Sequence, residues 1–506
     1  MKKILLVVVG LVVFAFVGNS YSWQGRMEGM GNPYGLVSFT YTDITQWDLD
    51  AESGVGDTYY DASGDQQDYG AMAGTAFPVG PGRLGIFFAY EGVRRDVDGD
   101  ADYSDMGSTS GDGSTTADYD LESDMDDFSL RFIYGLPINV NCLNVGGEMK
   151  FAYRDEEQKN KWDNNVGYSF LNIPTISQTG FFWVEANTFM FQIPYDSDYW
   201  DAQFKGSVAG KVCPAGIKPI DVVFSFGGGF IFAGDNEYTF EGELDPFRDA
   251  YVDGDGDISG WNLGGDLWVR VPVSDTVVLP FVVRGEYFQK NRDGDGVVSD
   301  PDFIVGIDNY DFRYEHEEES FMIEAGGGID MELSDISRMA VGLFYTYLDR
   351  SDDLEFTLDD PTPGLWMLVY DHNTPDYKEH RITLKTGWET SLSNSFALRA
   401  GINTFYGWIN KDLEYRYDDY GLAGGNFERN DGSLEGNQWG INASLGATIN
   451  LKKVSFEPYI NGGYRDVDLD GDSRFTSSGG GGITMDVDES REEWFIGAGL
   501  SILFGI

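Results

Sequence analysis

Oxygen-bearing side chains two residues apart are the first chemistry this sequence offers. Asn291, Asp293, Asp295, Gly296, Ser299 and Asp302 follow the spacing of a calcium loop, with Val297 placed to offer its carbonyl. In such a loop alternate ligands converge on one hard cation as the chain curls, and the glycine permits the bend. The spacing predicts Ca2+ there, although Asp302 stands where glutamate is usual and no helical pattern flanks the stretch. No other cofactor is required. Asp253, Asp255, Asp257 and Ser259 repeat the spacing without a first ligand, Tyr251 standing in that place. Asp96 to Asp105 and Asp466 to Asp472 are looser versions, and for all three stretches a solvated acidic loop is the simpler reading.

Catalytic chemistry finds less support. His316, His372 and His380 are the only histidines, and none sits in a recognisable Ser–His or Cys–His motif. The glycine run Gly479 to Gly482 lacks the Lys-Ser/Thr ending of a phosphate-binding loop. The expectation is a protein without enzymatic activity. The two cysteines, Cys142 and Cys213, fall beside neighbouring strands on the same side, within disulfide reach if adjacent strands lie about 4.8 Å apart. An oxidising compartment predicts a bridge between them.

These residues have to be positioned by strands. Trp494, Ile496, Ala498, Leu500, Ile502, Phe504 and Ile506 alternate with Phe495, Gly497, Gly499, Ser501, Leu503 and Gly505, which is period two. Such a strand, tilted, is long enough to cross a bilayer, but its backbone groups need partners on both sides. Upstream the same alternation recurs: Leu84 to Tyr90, Phe128 to Tyr134, Leu143 to Tyr153, Trp200 to Val208, Val222 to Phe230 and Trp261 to Val271. It continues through Leu279 to Tyr287, Phe321 to Ile329, Met339 to Tyr345, Ile382 to Trp388, Phe396 to Trp408, Trp439 to Leu451 and Phe456 to Tyr464. Tyr34 to Asp43 and Gln67 to Pro78 are weaker candidates. Short turns alternate with long acidic connections, which predicts an all-β, transmembrane, antiparallel up-and-down β-barrel of about sixteen strands, fourteen or eighteen being the alternatives. Aromatics late in upward strands and early in downward ones fall at the long-loop rim.

Residues 1–22 read as a signal peptide, with Lys2 and Lys3 before an apolar run and small residues at Gly18, Ser20 and Ser22; residues 23–506 read as one barrel domain. The net charge of −51 disfavours nucleic acid and favours cations as companions. On the lumen-facing parity stand Arg131, Lys150, Arg154, Lys205, Arg270, Arg284, Glu286, Glu324, Arg381, Lys385, Arg399 and Glu457. Each would cost about 2–4 kcal/mol in mid-membrane if turned to lipid, so they predict an aqueous pore lining. A lumen plugged by ion pairs is the competing reading.

This pattern resembles the bacterial outer-membrane porin family, over nearly the whole mature chain and without a signature motif. Porins usually end in an aromatic residue; here Ile506 is last and Phe504 lies two before it. The resemblance implies the outer membrane of a Gram-negative bacterium, membrane lipid and lipopolysaccharide around the barrel, the barrel-assembly machinery as a partner, and a homotrimer. It implies that the apolar-rich loop Asp155 to Asp198 folds inward as a constriction, with an external cap or an extra hairpin as the alternative. The expected function is a passive channel for small hydrophilic solutes or ions, with acidic loops gathering cations. The alternatives are a surface scaffold or adhesin barrel, or a sheath for an electron-transfer partner.

Overall fold

In a computed structural model, sixteen strands close into one antiparallel ring. They are β1 (Tyr34–Ser53), β2 (Thr58–Val79), β3 (Gly82–Ser104), β4 (Ser114–Ile138), β5 (Leu143–Asn164), β6 (Tyr195–Val212), β7 (Ile220–Leu244) and β8 (Phe247–Pro272). The second half comprises β9 (Val277–Ser299), β10 (Asn309–Ser334), β11 (Ser337–Asp359), β12 (Met367–Ser393), β13 (Phe396–Asp419), β14 (Asn426–Leu451), β15 (Val454–Ser477) and β16 (Gly482–Gly505). The structure describes these strands with residues 80–81, 213, 218–219, 273–276, 335–336, 394–395 and 452–453. The leader and Ile506 lie outside the described residues; of the expected constriction, Asp155 to Asp198, residues 155–164 continue β5 and 195–198 begin β6, while 165–194 lie outside the described residues.

Each strand pairs with its neighbours in sequence, and β1 completes the ring by pairing with β16, Tyr34 opposite Gly505 and Phe39 opposite Leu500. Closure leaves no open edge in lipid, where unpaired N–H and C=O groups would cost several kcal/mol each. The short connections lie where turn chemistry permits them. Gly80, between β2 and β3, has φ 60°, a left-handed conformation that glycine adopts without strain, and Lys452 (φ 52°) does the same work between β14 and β15.

The acidic stretches that read as long loops are in large part strand. β3 continues to Ser104 and β4 begins at Ser114, so Asp96, Asp98 and Asp100 pair with Glu122, Asp120 and Asp118. The calcium-like spacing has the same origin. Asn291, Asp293, Asp295, Val297 and Ser299 lie on extended β9, between β8 and β10, and do not curl around a centre; Asp302 is outside the described residues. Asp-Gly-Asp-Gly-Asp is itself period two: in a strand it sends carboxylates to one face and glycines to the other. Asn291, Asp293 and Asp295 are exposed, whereas Arg292 and Gly294 between them are buried. Among the described residues no group of three or more His, Cys, Asp or Glu side chains is placed to hold a metal ion.

Candidate channel interior

Large apolar side chains stand exposed on one parity of the strands. Phe88 on β3, Phe204 and Val208 on β6, Leu263 and Leu267 on β8, Ile382 and Leu384 on β12, and Ile496 on β16 belong to this face. In water such an area would cost about 25 cal/mol per Å2; against hydrocarbon it costs nothing. Aromatics edge the band at the rim away from the short turns. Tyr153 stacks on Trp200 (ring centroids 5.1 Å apart), Trp261 on Tyr287 (4.8 Å), and Tyr464 between Trp439 (5.1 Å) and Trp494 (4.4 Å). Their polar tips reach past the band, Trp261 Nε1 donating to Gln289 (2.8 Å) and Tyr287 to Glu319 (3.0 Å). Trp388 marks the other rim and donates to Ser337 (3.0 Å) beside the β10–β11 turn. An aromatic girdle at one rim and Trp388 at the other, about an apolar belt, form the exterior of a transmembrane barrel. A family model described as the autotransporter beta-domain matches residues 316–501.

The chain is a bacterial outer-membrane β-barrel. It resides in the outer membrane of a Gram-negative bacterium, and its lipid contacts are the belt residues just named. Among solved structures, the barrel is similar to a TodX monoaromatic hydrocarbon channel deltaS2 mutant, at 9% identity over 94% of this chain and 90% of that one, with a TM-score of 0.39. The Pseudomonas putida toluene transporter TodX (10% identity, 94% and 91% covered, TM-score 0.34) and a Pseudomonas aeruginosa FadL homologue (12%, 94% and 91%, 0.36) are further neighbours. No curated protein matches the chain.

The opposite parity of the outer-membrane barrel carries the charged residues singled out by the sequence, and most meet an opposite charge. Arg131 reaches Glu148 (3.0 Å), Lys205 reaches Asp266 (2.8 Å), and Arg399 reaches Glu389 (3.2 Å). Arg284 of β9 meets Glu324 of the adjacent β10 (3.2 Å), and several pairs skip a strand, as Lys205 of β6 and Asp266 of β8 do: Lys385 of β12 also reaches Glu324 (3.6 Å), Arg270 reaches Asp330 (3.5 Å), and Arg399 also reaches Glu457 (3.8 Å). Lys150 and Arg154 converge on Asp127 (3.6 and 2.9 Å), and Arg381 lies 3.5 Å from Glu379. Glu286 is exposed on this face of β9. Polar side chains at the centre of the inner wall are thus stabilised in pairs, as a low-dielectric wall requires.

Beyond the girdle, on the strand extensions, the structure assembles a group that the sequence reading did not select. Glu156 of β5 takes Lys290 (2.8 Å) and Arg292 (2.5 Å) from β9, and Tyr199 of β6 donates to it (2.6 Å). Arg292 continues to Glu318 (2.8 Å), and His316 lies 2.8 Å from Asp352. Burial pushes the Glu156 carboxyl up, but Lys290 and Arg292 more than offset it and hold it well below the usual carboxylate range. Burial and then Arg292 bring Lys290 down to about 8. His380 instead faces outward at the girdle, 2.7 Å from the Tyr345 hydroxyl. Cys213 is free and exposed, and Cys142 is outside the described residues, so the predicted bridge has no counterpart among them. The sequence signal for Glu156, Lys290 and Arg292 was available: period-two alternation runs past Tyr153 and Tyr287 without a break.

Proposed function

We propose that this barrel is a non-enzymatic outer-membrane channel for small hydrophilic solutes, and the observation that carries the proposal is its paired, charged inner wall inside an apolar belt. Charged side chains facing a lumen need water or counter-charges, and a ring of sixteen strands encloses more room than side chains alone fill. Cations and anions alternate along that wall, so it favours polar solutes without strongly selecting the sign of an ion. Sign preference comes from the outward carboxylates of the extracellular extensions, which raise cation concentration at the mouth diffusely instead of chelating one ion.

Reconstitution into planar bilayers tests the proposal. Discrete conductance steps with a modest cation preference are expected. A folded barrel, verified by its heat-modifiable mobility on a gel, that never conducts across the usable voltage range rejects it. A closed surface scaffold is the second reading, favoured by the ion pairs that link non-adjacent strands above the girdle. It predicts silence in the bilayer together with a co-purifying partner.

A further inference from the structure

Above the aromatic girdle the ring is not evenly curved. Glu156 and Lys290 belong to β5 and β9, yet their ion pair passes over the inner faces of β6, β7 and β8. The residues beneath are small or tucked away. Ser197 of β6 donates to Asn236 of β7, both fully buried, and Asn236 donates to the Asp257 carbonyl of β8 (3.1 Å). Gly256 and Gly294 then face each other across β8 and β9. A Cβ added to Gly256 would lie 1.8 Å from the Asp293 carbonyl oxygen, and one on Gly296 would lie 2.3 Å from that of Asp253. Only a sharp bend brings neighbouring backbones so close to the inner face.

The same construction occurs a second time. Lys411 of β13 lies 3.9 Å from Glu489 of β16, both almost fully buried, across β14 and β15. There too the bend is lined by glycine: a Cβ on Gly436 would lie 1.9 Å from the Asp468 oxygen, and one on Gly471 would lie 1.9 Å from that of Ser433. Two tight corners, each spanned by an ion pair between non-adjacent strands, thus lie beyond the girdle.

We propose that the Glu156–Lys290–Arg292 cluster is a clasp that holds the first corner bent and the extracellular mouth narrow, and that its release widens the mouth. The proposal rests on the channel reading for its consequence but not for its geometry. Glu156 is the one anion shared by the two cations of β9 and the hydroxyl of Tyr199, so a neutral side chain there removes the charge that ties β9 to β5, while Arg292 keeps Glu318 of the adjacent β10. With that tie across the corner gone, the corner is free to open.

The test uses the full-length barrel with Cys142 and Cys213 replaced by serine and spin labels on cysteines at Lys159 and Asn291, exposed positions of β5 and β9. Glu156→Gln is expected to move the label–label distance to longer values, and the charge exchange Glu156→Lys with Lys290→Glu to bring it back. In parallel, single-channel conductance of Glu156→Gln is expected to rise several-fold over the parent, with the exchange restoring the parent level. An unchanged distance in a heat-modifiable Glu156→Gln barrel overturns the clasp. So does lengthening that the exchange fails to reverse. Lengthening and reversal without any conductance upholds the clasp and rejects the channel.

Discussion

At the scale of the residue, Glu156 concentrates the electrostatics of the extracellular end. Breaking a buried ion pair from one side costs about 3 kcal/mol, because the partner charges stay buried without compensation. Glu156→Gln is therefore expected to lower the urea midpoint of the detergent-folded barrel by that equivalent, followed by tryptophan fluorescence. Lys205→Met, which leaves Asp266 with the Ser225 hydroxyl and greater access to water, is expected to cost less. The pH dependence follows from the depressed Glu156 carboxyl. Its stabilisation is fully present above the ordinary value of 4.5 and is lost as pH falls from there toward the folded-state value. Unfolding midpoints measured from pH 7 to pH 3 should decline below about pH 4.5 in the parent. In Glu156→Gln that part of the decline should be missing.

At the scale of the element, the strand extensions carry an opposite pH term on their outer face. Asp126, Asp155, Asp198, Asp235, Asp257 and Asp293 stand directly opposite one another from β4 to β9, and Asp124, Glu157, Asp196, Glu237, Asp255 and Asp295 form the next row. Like charges directly opposed across a ladder destabilise it. Burial and then the neighbouring Asp198 and Asp126 raise the Asp155 carboxyl; burial and then Asp155 and Asp198 raise Asp196. Groups raised in the folded state give stability that is present at low pH and lost as pH rises through their folded values. Amide-exchange protection at the ends of β4 to β9, corrected for the intrinsic base-catalysed rate, is expected to rise as pH falls from 7 toward the ordinary aspartate value of 3.8, and to rise when salt is raised at pH 7. Equal protection under all these conditions would show that the rows do not limit strand opening. These extensions were the part of the fold hardest to see in the sequence. The belt strands were legible because Trp494, Ile496 and their counterparts alternate apolar with small residues, and the lumen-facing set from Arg131 to Glu457 followed from that parity. Past the girdle both faces turn polar, so the Asp-Gly alternation of 253–257 and 291–296 lost its hydrophobic contrast, the first reading as a solvated acidic loop and the second as a cation loop. The clasp was beyond any local pattern, since Glu156 and Lys290 are 134 residues apart in the chain.

At the scale of the whole molecule, charge is partitioned by face, and that partition determines how ions would be selected. The chain carries 85 acidic against 34 basic residues. Most of the basic residues named along the inner wall are paired with carboxylates there, so the excess of negative charge stands on the extracellular extensions. A field that originates outside the bore is screened by salt, whereas one produced by charges lining a narrow, low-dielectric passage is screened much less. The Debye length falls from about 30 Å at 0.01 M to about 3 Å at 1 M, so high salt confines the field of exposed carboxylates to their immediate surroundings. Reversal potentials measured across KCl gradients should then show clear cation preference at low salt and approach neutrality near 1 M. Neutralising Asp155, Asp198, Asp235 and Asp257 together with asparagine should reduce the low-salt preference and leave the high-salt value where it was. A preference that persists at 1 M, or that ignores the fourfold substitution, would place the selecting charges on the inner wall, among Glu286, Glu324 and Glu457, and would make the outer carboxylates irrelevant to permeation.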